Sequence, residues 1–175
     1  MFISASSVSE NSGSENGGGI YKAGSGTLTI EDSSVEKNEA TQSGGGIYLQ
    51  SGALTLDGGA ICGNIASASG GGVYVAAGGT LFMYGSSVIG DNSASSAATA
   101  TACSNTASEG AGIYNEGALY LGYSDASTVS ELNGGVYYNY ASTYVGGIYS
   151  VSGSTLKIAS GTVSYNACGT QIAGV

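Results

Sequence analysis

Three short motifs recur along the chain in fixed order, and their spacing constrains the fold more than any other feature. The first reads GGGIY at 17, GGGIY at 44, GGVY at 71, AGIY at 111 and GGIY at 146. The second is an alternating apolar pair: Leu28/Ile30, Leu54/Leu56, Leu81/Met83, Leu119/Leu121 and Leu156/Ile158. The third is an aliphatic residue followed three places later by Asn: Val8/Asn11, Val35/Asn38, Ile61/Asn64, Val136/Asn139 and Val163/Asn166. Val88 with Asp91, or with Asn92 after a one-residue slip, is the imperfect copy. From the third-motif aliphatic to the next first-motif aliphatic is 12 residues at Val8→Ile20, Val35→Ile47, Ile61→Val73 and Val136→Ile148. From the second-motif Leu to the third-motif aliphatic is 7 at Leu28→Val35, Leu54→Ile61, Leu81→Val88 and Leu156→Val163. Uninterrupted repeats are therefore 26 or 27 residues long.

Alternation in Leu-Thr-Leu-type triplets is strand periodicity, with Leu28 and Ile30 inward and Thr27 and Thr29 outward. Gly, Ser, Asp and Asn between the motifs supply three turns per repeat. Helical repeats need a 3.6-residue period and leucine-rich repeats an LxxLxL consensus, and neither occurs. The pattern predicts an all-β, right-handed parallel β-helix of about five to six coils, three short strands each, stacked about 4.8 Å apart. One domain over 1–175 is expected. Val88→Ile113 holds 13 extra residues and Leu119→Val136 holds 10, so loops should leave the scaffold near 93–110 and 123–133. Such excursions are where specificity escapes a regular solenoid, although Ser/Ala/Thr-rich composition equally fits a passive loop.

Composition narrows the function. The 175 residues include 32 glycines, no proline, no histidine and no tryptophan, with three basic side chains against twelve acidic ones. A formal charge of −9 argues against nucleic acid, whose binders replace counterions with Lys and Arg. Without histidine, the Ser-His-Asp, Cys-His and HExxH devices are excluded. No apolar run is long enough for a membrane helix. Glu31, Asp32, Glu36 and Glu39 lie beside Lys37 at turns and outward faces, where solvated charge is the expected role, and acids are not expected to repeat in columns. No cofactor or metal site is predicted.

Two columns stand out. The tyrosines after each first-motif aliphatic, Tyr21, Tyr48, Tyr74, Tyr114 and Tyr149, should point outward as a strip. They would either grip a partner or sugar ring, or stack on one another and stabilise the coil. The asparagines Asn11, Asn38, Asn64, Asn139 and Asn166 should form an amide ladder at one turn. A second outward column, Thr29–Thr55–Phe82–Tyr120–Lys157, is too irregular for an ice-binding array. Of the three cysteines, Cys62 and Cys168 lie about four coils apart, roughly 19 Å at the strand spacing and beyond disulfide reach. Cys103 leaves with the first insertion from the turn that carries Cys168, so a Cys103–Cys168 bridge is expected. A disulfide would favour an extracellular compartment.

GGGIY at 17–21 and 44–48, with Ile61-Cys62-Gly63-Asn64-Ile65-Ala66 and Val35-Glu36-Lys37-Asn38-Glu39-Ala40, resembles the paired GG[AG]I and FxxN signature of the polymorphic outer membrane protein repeat. Here Ile or Val stands in place of Phe. The resemblance to these bacterial surface autotransporters covers nearly the whole chain. It implies a secreted β-helix at the bacterial cell surface or outside the cell, serving adhesion to a host or cell-surface protein or glycan.

Met1 and Ile3 fall in register with Leu28 and Ile30, and Ala173-Gly174-Val175 aligns with Gly18-Gly19-Ile20. Both ends should therefore lie mid-solenoid, as in an excerpt of a longer repeat protein or a subunit stacking head to tail on itself into filaments. The function expected is non-catalytic, structural or adhesive. The alternative is a carbohydrate-active β-helix enzyme, a polysaccharide lyase or hydrolase, which needs carboxylates clustered in one cleft.

Overall fold

The computed structural model describes residues 1–92, 102–169 and 175. Every described strand is short or alternating, none of the described residues is helical, and the strands form three sheets with parallel pairing throughout. This is the expected parallel β-helix, each coil laying its strands on those of the coil before.

The motifs occupy the faces differently from the expectation. The first and second motifs share one broad nine-stranded sheet. In two coils they fuse into single strands, Ile47–Asp57 and Val73–Tyr84, with a register shift between Val75 and Gly78. The third motif builds the second sheet, from Ser7–Ser9 through Ser34–Glu36, Ala60–Cys62, Val88–Gly90 and Gly135–Tyr137 to Thr162–Ser164. The third sheet lies after the asparagines, as Ser12–Gly13, Glu39–Ala40, Ile65–Ala66, Thr106–Glu109, Tyr140–Tyr144 and Ala167–Cys168. Its inward residues are small: Ala66, Ala107 and Ala141, with Ala111 in the bend beyond Thr106–Glu109, make a core patch of their own.

Register is exact in type along each column. Leu28, Leu54, Leu81, Leu119 and Leu156 pair in sequence, as do Ile20, Ile47, Val73, Ile113 and Ile148. Ile3 pairs with Ile30 as the repeat predicts; the alignment expected for Ala173 and Gly174 lies outside the described residues. Buried members of these columns form one continuous core with Val35, Ile61, Ile89 and Val136. Each fully buried side chain contributes on the order of 1.5–3 kcal/mol. The third-motif column slips once. Ile89, not Val88, pairs with Ile61 and Val136.

The Gly-Gly-Gly run is a stacking requirement. Gly17, Gly44, Gly70 and Gly110 take positive φ at its first position. At its second, a Cβ on Gly45 would stand 2.4 Å from the Ile65 carbonyl oxygen and 2.6 Å from that of Gly71. No side chain fits between coils there.

Lys22 is inward, aligned with Leu49, yet buried. Its ammonium group donates to the carbonyls of Ala23, Gly24 and Ser51 at 3.1, 2.8 and 3.1 Å. That cradle replaces the water a buried cation would otherwise lose.

Candidate functional site

The broad sheet presents the tyrosine column outward. Pairing sets Tyr21 beside Tyr48, Tyr48 beside Tyr74, Tyr74 beside Tyr114 and Tyr114 beside Tyr149. Ring centroids are 5.3, 4.8, 5.1 and 5.1 Å apart. The first three pairs are parallel to within 7°, and Tyr149 tilts by 46°. The stacking alternative therefore describes the ladder, and it changes what the ladder offers. Ring faces cover one another, so sugar rings cannot lie on them. What remains outward is a row of ring edges and phenolic hydroxyls, one per coil.

Burial raises the phenol pKa values of Tyr48, Tyr74 and Tyr114, and neighbouring tyrosines and Glu116 add to the effect. Glu116 lies beside Tyr74 and raises its phenol pKa further. The hydroxyls stay protonated, each both donor and acceptor.

Elsewhere on the same sheet, the column Thr29–Thr55–Phe82–Tyr120–Lys157 forms a second aromatic feature. Phe82 and Tyr120 stack at 5.1 Å, Tyr123 meets Tyr120 edge-on at 5.7 Å, and the Lys157 ammonium lies 5.2 Å from the Tyr120 centroid. A third pair escaped the sequence reading. Tyr138 stacks on Tyr165 at 4.9 Å, both in left-handed backbone one residue before a ladder asparagine. The signal was their shared offset, two residues after Val136 and Val163.

The expectation that acids do not repeat in columns is corrected at one place. Glu31 pairs with Asp57, and Tyr84 continues that column beside Asp57, whose carboxylate helps raise its phenol pKa after burial. Both acids sit on the last outward position of their strands, so the coil pitch alone brings them side by side. Beside them an open groove of about 640 Å³ runs along Ala5, Ser6, Asp32, Ser33 and Gly58. Among the described residues no cluster of three metal-ligating side chains occurs.

The asparagine ladder is present and has a member that the spacing missed. Asn38 donates its backbone N–H and its side-chain amide to Asn64 Oδ1, both at 3.0 Å. Asn11 treats Asn38 in the same way, and Asn139 treats Asn166. Asn64 makes the same two bonds to Asn105, and Asn105 continues to Asn139 at 2.9 Å. Neither Asp91 nor Asn92 fills the fourth-coil position: the first insertion separates Ile89 from its asparagine. The excursion therefore ends at Ser104 rather than Gly110, because Thr106–Glu109 is already a strand of the third sheet.

That placement overturns the expected disulfide. Cys103 bonds to Cys62, with Cα atoms 4.7 Å apart, and not to Cys168. Each bonded cysteine stands two residues before a ladder asparagine, and Asn64 and Asn105 are stacked, so the two thiols meet on neighbouring coils. The Gly63 N–H donates to the Cys103 carbonyl at 2.9 Å in the same register. Cys168 belongs to another face, opposite Ala141 in the small-residue column of the third sheet, where its Sγ donates to the Thr143 carbonyl at 3.1 Å.

The second insertion folds onto the scaffold. Tyr123 and Val129 form an antiparallel bridge, and Leu132 returns to the core. Asp125 accepts from the backbone N–H groups of Ser127 and Thr128, both at 2.8 Å, and from the Ser127 hydroxyl. Those bonds, the Ser127 backbone foremost, hold its carboxyl pKa down to about 2. No helix among the described residues is long and apolar enough to cross a membrane. Compared with protein-family models, with curated proteins and with solved structures, the chain matches none.

Proposed function

We propose that this β-helix is a non-catalytic structural or adhesive protein that works outside the cell or on its surface, with the broad sheet as its contact face. The tyrosine ladder carries this reading. It spans five successive coils on one outward face, exposed at Tyr21 and half-buried at the other four, and is held by stacked rings and backbone pairing. Such a rigid, extended surface suits attachment to a host or cell-surface protein or glycan. The Cys62–Cys103 bridge supports an oxidising compartment, and the GGGIY and aliphatic-xx-Asn resemblance to bacterial surface repeats points the same way.

Immobilised protein should retain cells or surface extracts, and Tyr48→Ala should reduce retention. Equal retention by both proteins would remove the face from the reading. The enzyme alternative has one foothold, the adjacent Glu31 and Asp57 beside the open groove. Incubation with acidic and neutral polysaccharides should release no reducing ends. Release abolished by Glu31→Gln would establish the enzyme instead.

A further inference from the structure

We infer that the outward row of tyrosine hydroxyls is a binding track for an uncharged, extended β-1,4-linked glycan lying along the solenoid axis, one sugar unit per coil. The inference rests on the adhesive reading and names the ligand class for the same face.

Three observations carry it. The first is orientation. Parallel rings at 4.8–5.3 Å turn their faces toward one another, leaving hydrogen-bonding edges as the chemistry presented to a partner. The second is pitch. Pairing repeats the phenols once per coil, and the ring spacing is close to the advance per residue of an extended β-1,4-linked pyranose chain. Coiled α-linked glucans and branched oligosaccharides do not share this straight repeat. Successive units of such a chain turn over, offering ring hydroxyls and hydroxymethyl groups alternately to one side. A phenol that both donates and accepts can pair with either. Gln50, two residues beyond Tyr48 on its strand, and Glu116, in the bend just after the strand of Tyr114, place further hydrogen-bonding groups near the row.

The third is charge. Glu116 acts on Tyr48, Tyr74 and Tyr114, Glu109 acts on Tyr114, and the whole chain carries −9. A polyanionic glycan would be repelled along the length of the track, whereas an uncharged one incurs no such cost. The surface therefore selects against uronate and sulfated polymers and suits neutral ones of the cellulose or chitin type.

Co-sedimentation with cellulose and chitin particles tests the proposal, with insoluble amylose as the α-linked control. Tyr48→Phe/Tyr74→Phe/Tyr114→Phe keeps the stacked rings and removes three hydroxyls, so it separates the track from the scaffold. Far-ultraviolet circular dichroism verifies that the variant folds. The wild type should sediment with at least one β-linked particle and not with amylose. The triple variant should bind at least about tenfold more weakly, as expected for three lost hydrogen bonds. Unchanged binding by the variant would overturn the hydroxyl track, as would equal binding to amylose. Failure of the wild type to bind any glycan while it still retains cells would also overturn it, leaving the adhesive reading intact.

Discussion

Asn64 donates both its backbone N–H and its side-chain amide to Asn105 Oδ1, each at 3.0 Å, across 41 residues of chain. Asn105 in turn donates to the Ile61 carbonyl and to Asn139 Oδ1, both at 2.9 Å. One amide thus closes the ladder across the coil that the first insertion interrupts, and it is fully buried.

Asn105→Ala should therefore destabilise the protein by about 2–5 kcal/mol, since two buried donors on Asn64 lose their acceptor. Asn92→Ala should change stability by less than about 0.5 kcal/mol, because Asn92 is exposed. Urea unfolding of the two variants compares them directly. Similar losses would mean that Asn92 occupies the ladder.

Much of the fold was legible because two of its faces advertise themselves. Leu28–Leu54–Leu81 and Ile20–Ile47–Val73 repeat bulky aliphatic residues at fixed spacing, and bulk in a column is what a stacked interior demands. The third face was illegible for the same reason. Its inward column is Ala40, Ala66, Ala107, Ala141 and Cys168, too small to give an alternating apolar signal. Asn105 was hidden by the insertion, which breaks the count of residues but not the stacking in space. Once Cys103 is counted backward from Asn105 rather than forward from Val88, its pairing with Cys62 follows. The tyrosine strip was visible in the sequence. The direction of its ring faces was not, since alternation tells which side a residue takes and not how neighbouring rings turn.

Non-reducing peptide mapping should find Cys62 linked to Cys103, with a single thiol titrating after denaturation. Cys103→Ser should lower stability by about 3–4 kcal/mol, the loop-closure entropy for a separation of 41 residues. Cys168→Ser should cost less, because it closes no loop and keeps a hydrogen-bonding group at the position facing the Thr143 carbonyl. A Cys103–Cys168 peptide would contradict the stacked register.

Alkaline pH should weaken the fold through the ladder. Burial foremost raises the phenol pKa values of Tyr48, Tyr74 and Tyr114, so folding favours the neutral form. Their stabilising contribution is complete below the unfolded tyrosine pKa of about 10 and is lost as pH rises through the higher folded values. Tyrosinate absorbance should therefore develop at higher pH in native protein than in urea. Tyr74→Phe should lessen the fall in urea midpoint above pH about 10. Superimposable native and unfolded titrations would refute this.

Lys37 should be replaceable with gain. It is exposed, its φ is 54°, and the equivalent position one coil later is Gly63 at 65°. Left-handed backbone costs an L-residue with a Cβ about 1–2 kcal/mol, while glycine loses more chain entropy on folding, by about 0.4–1 kcal/mol. The difference favours Lys37→Gly by about 0.5–1 kcal/mol. Lys37→Ala removes the same charge and retains the Cβ, so it isolates the backbone effect. Thermal unfolding should rank Lys37→Gly above wild type and Lys37→Ala no higher than wild type. An equal rise in both variants would assign the gain to the lost charge instead of the backbone.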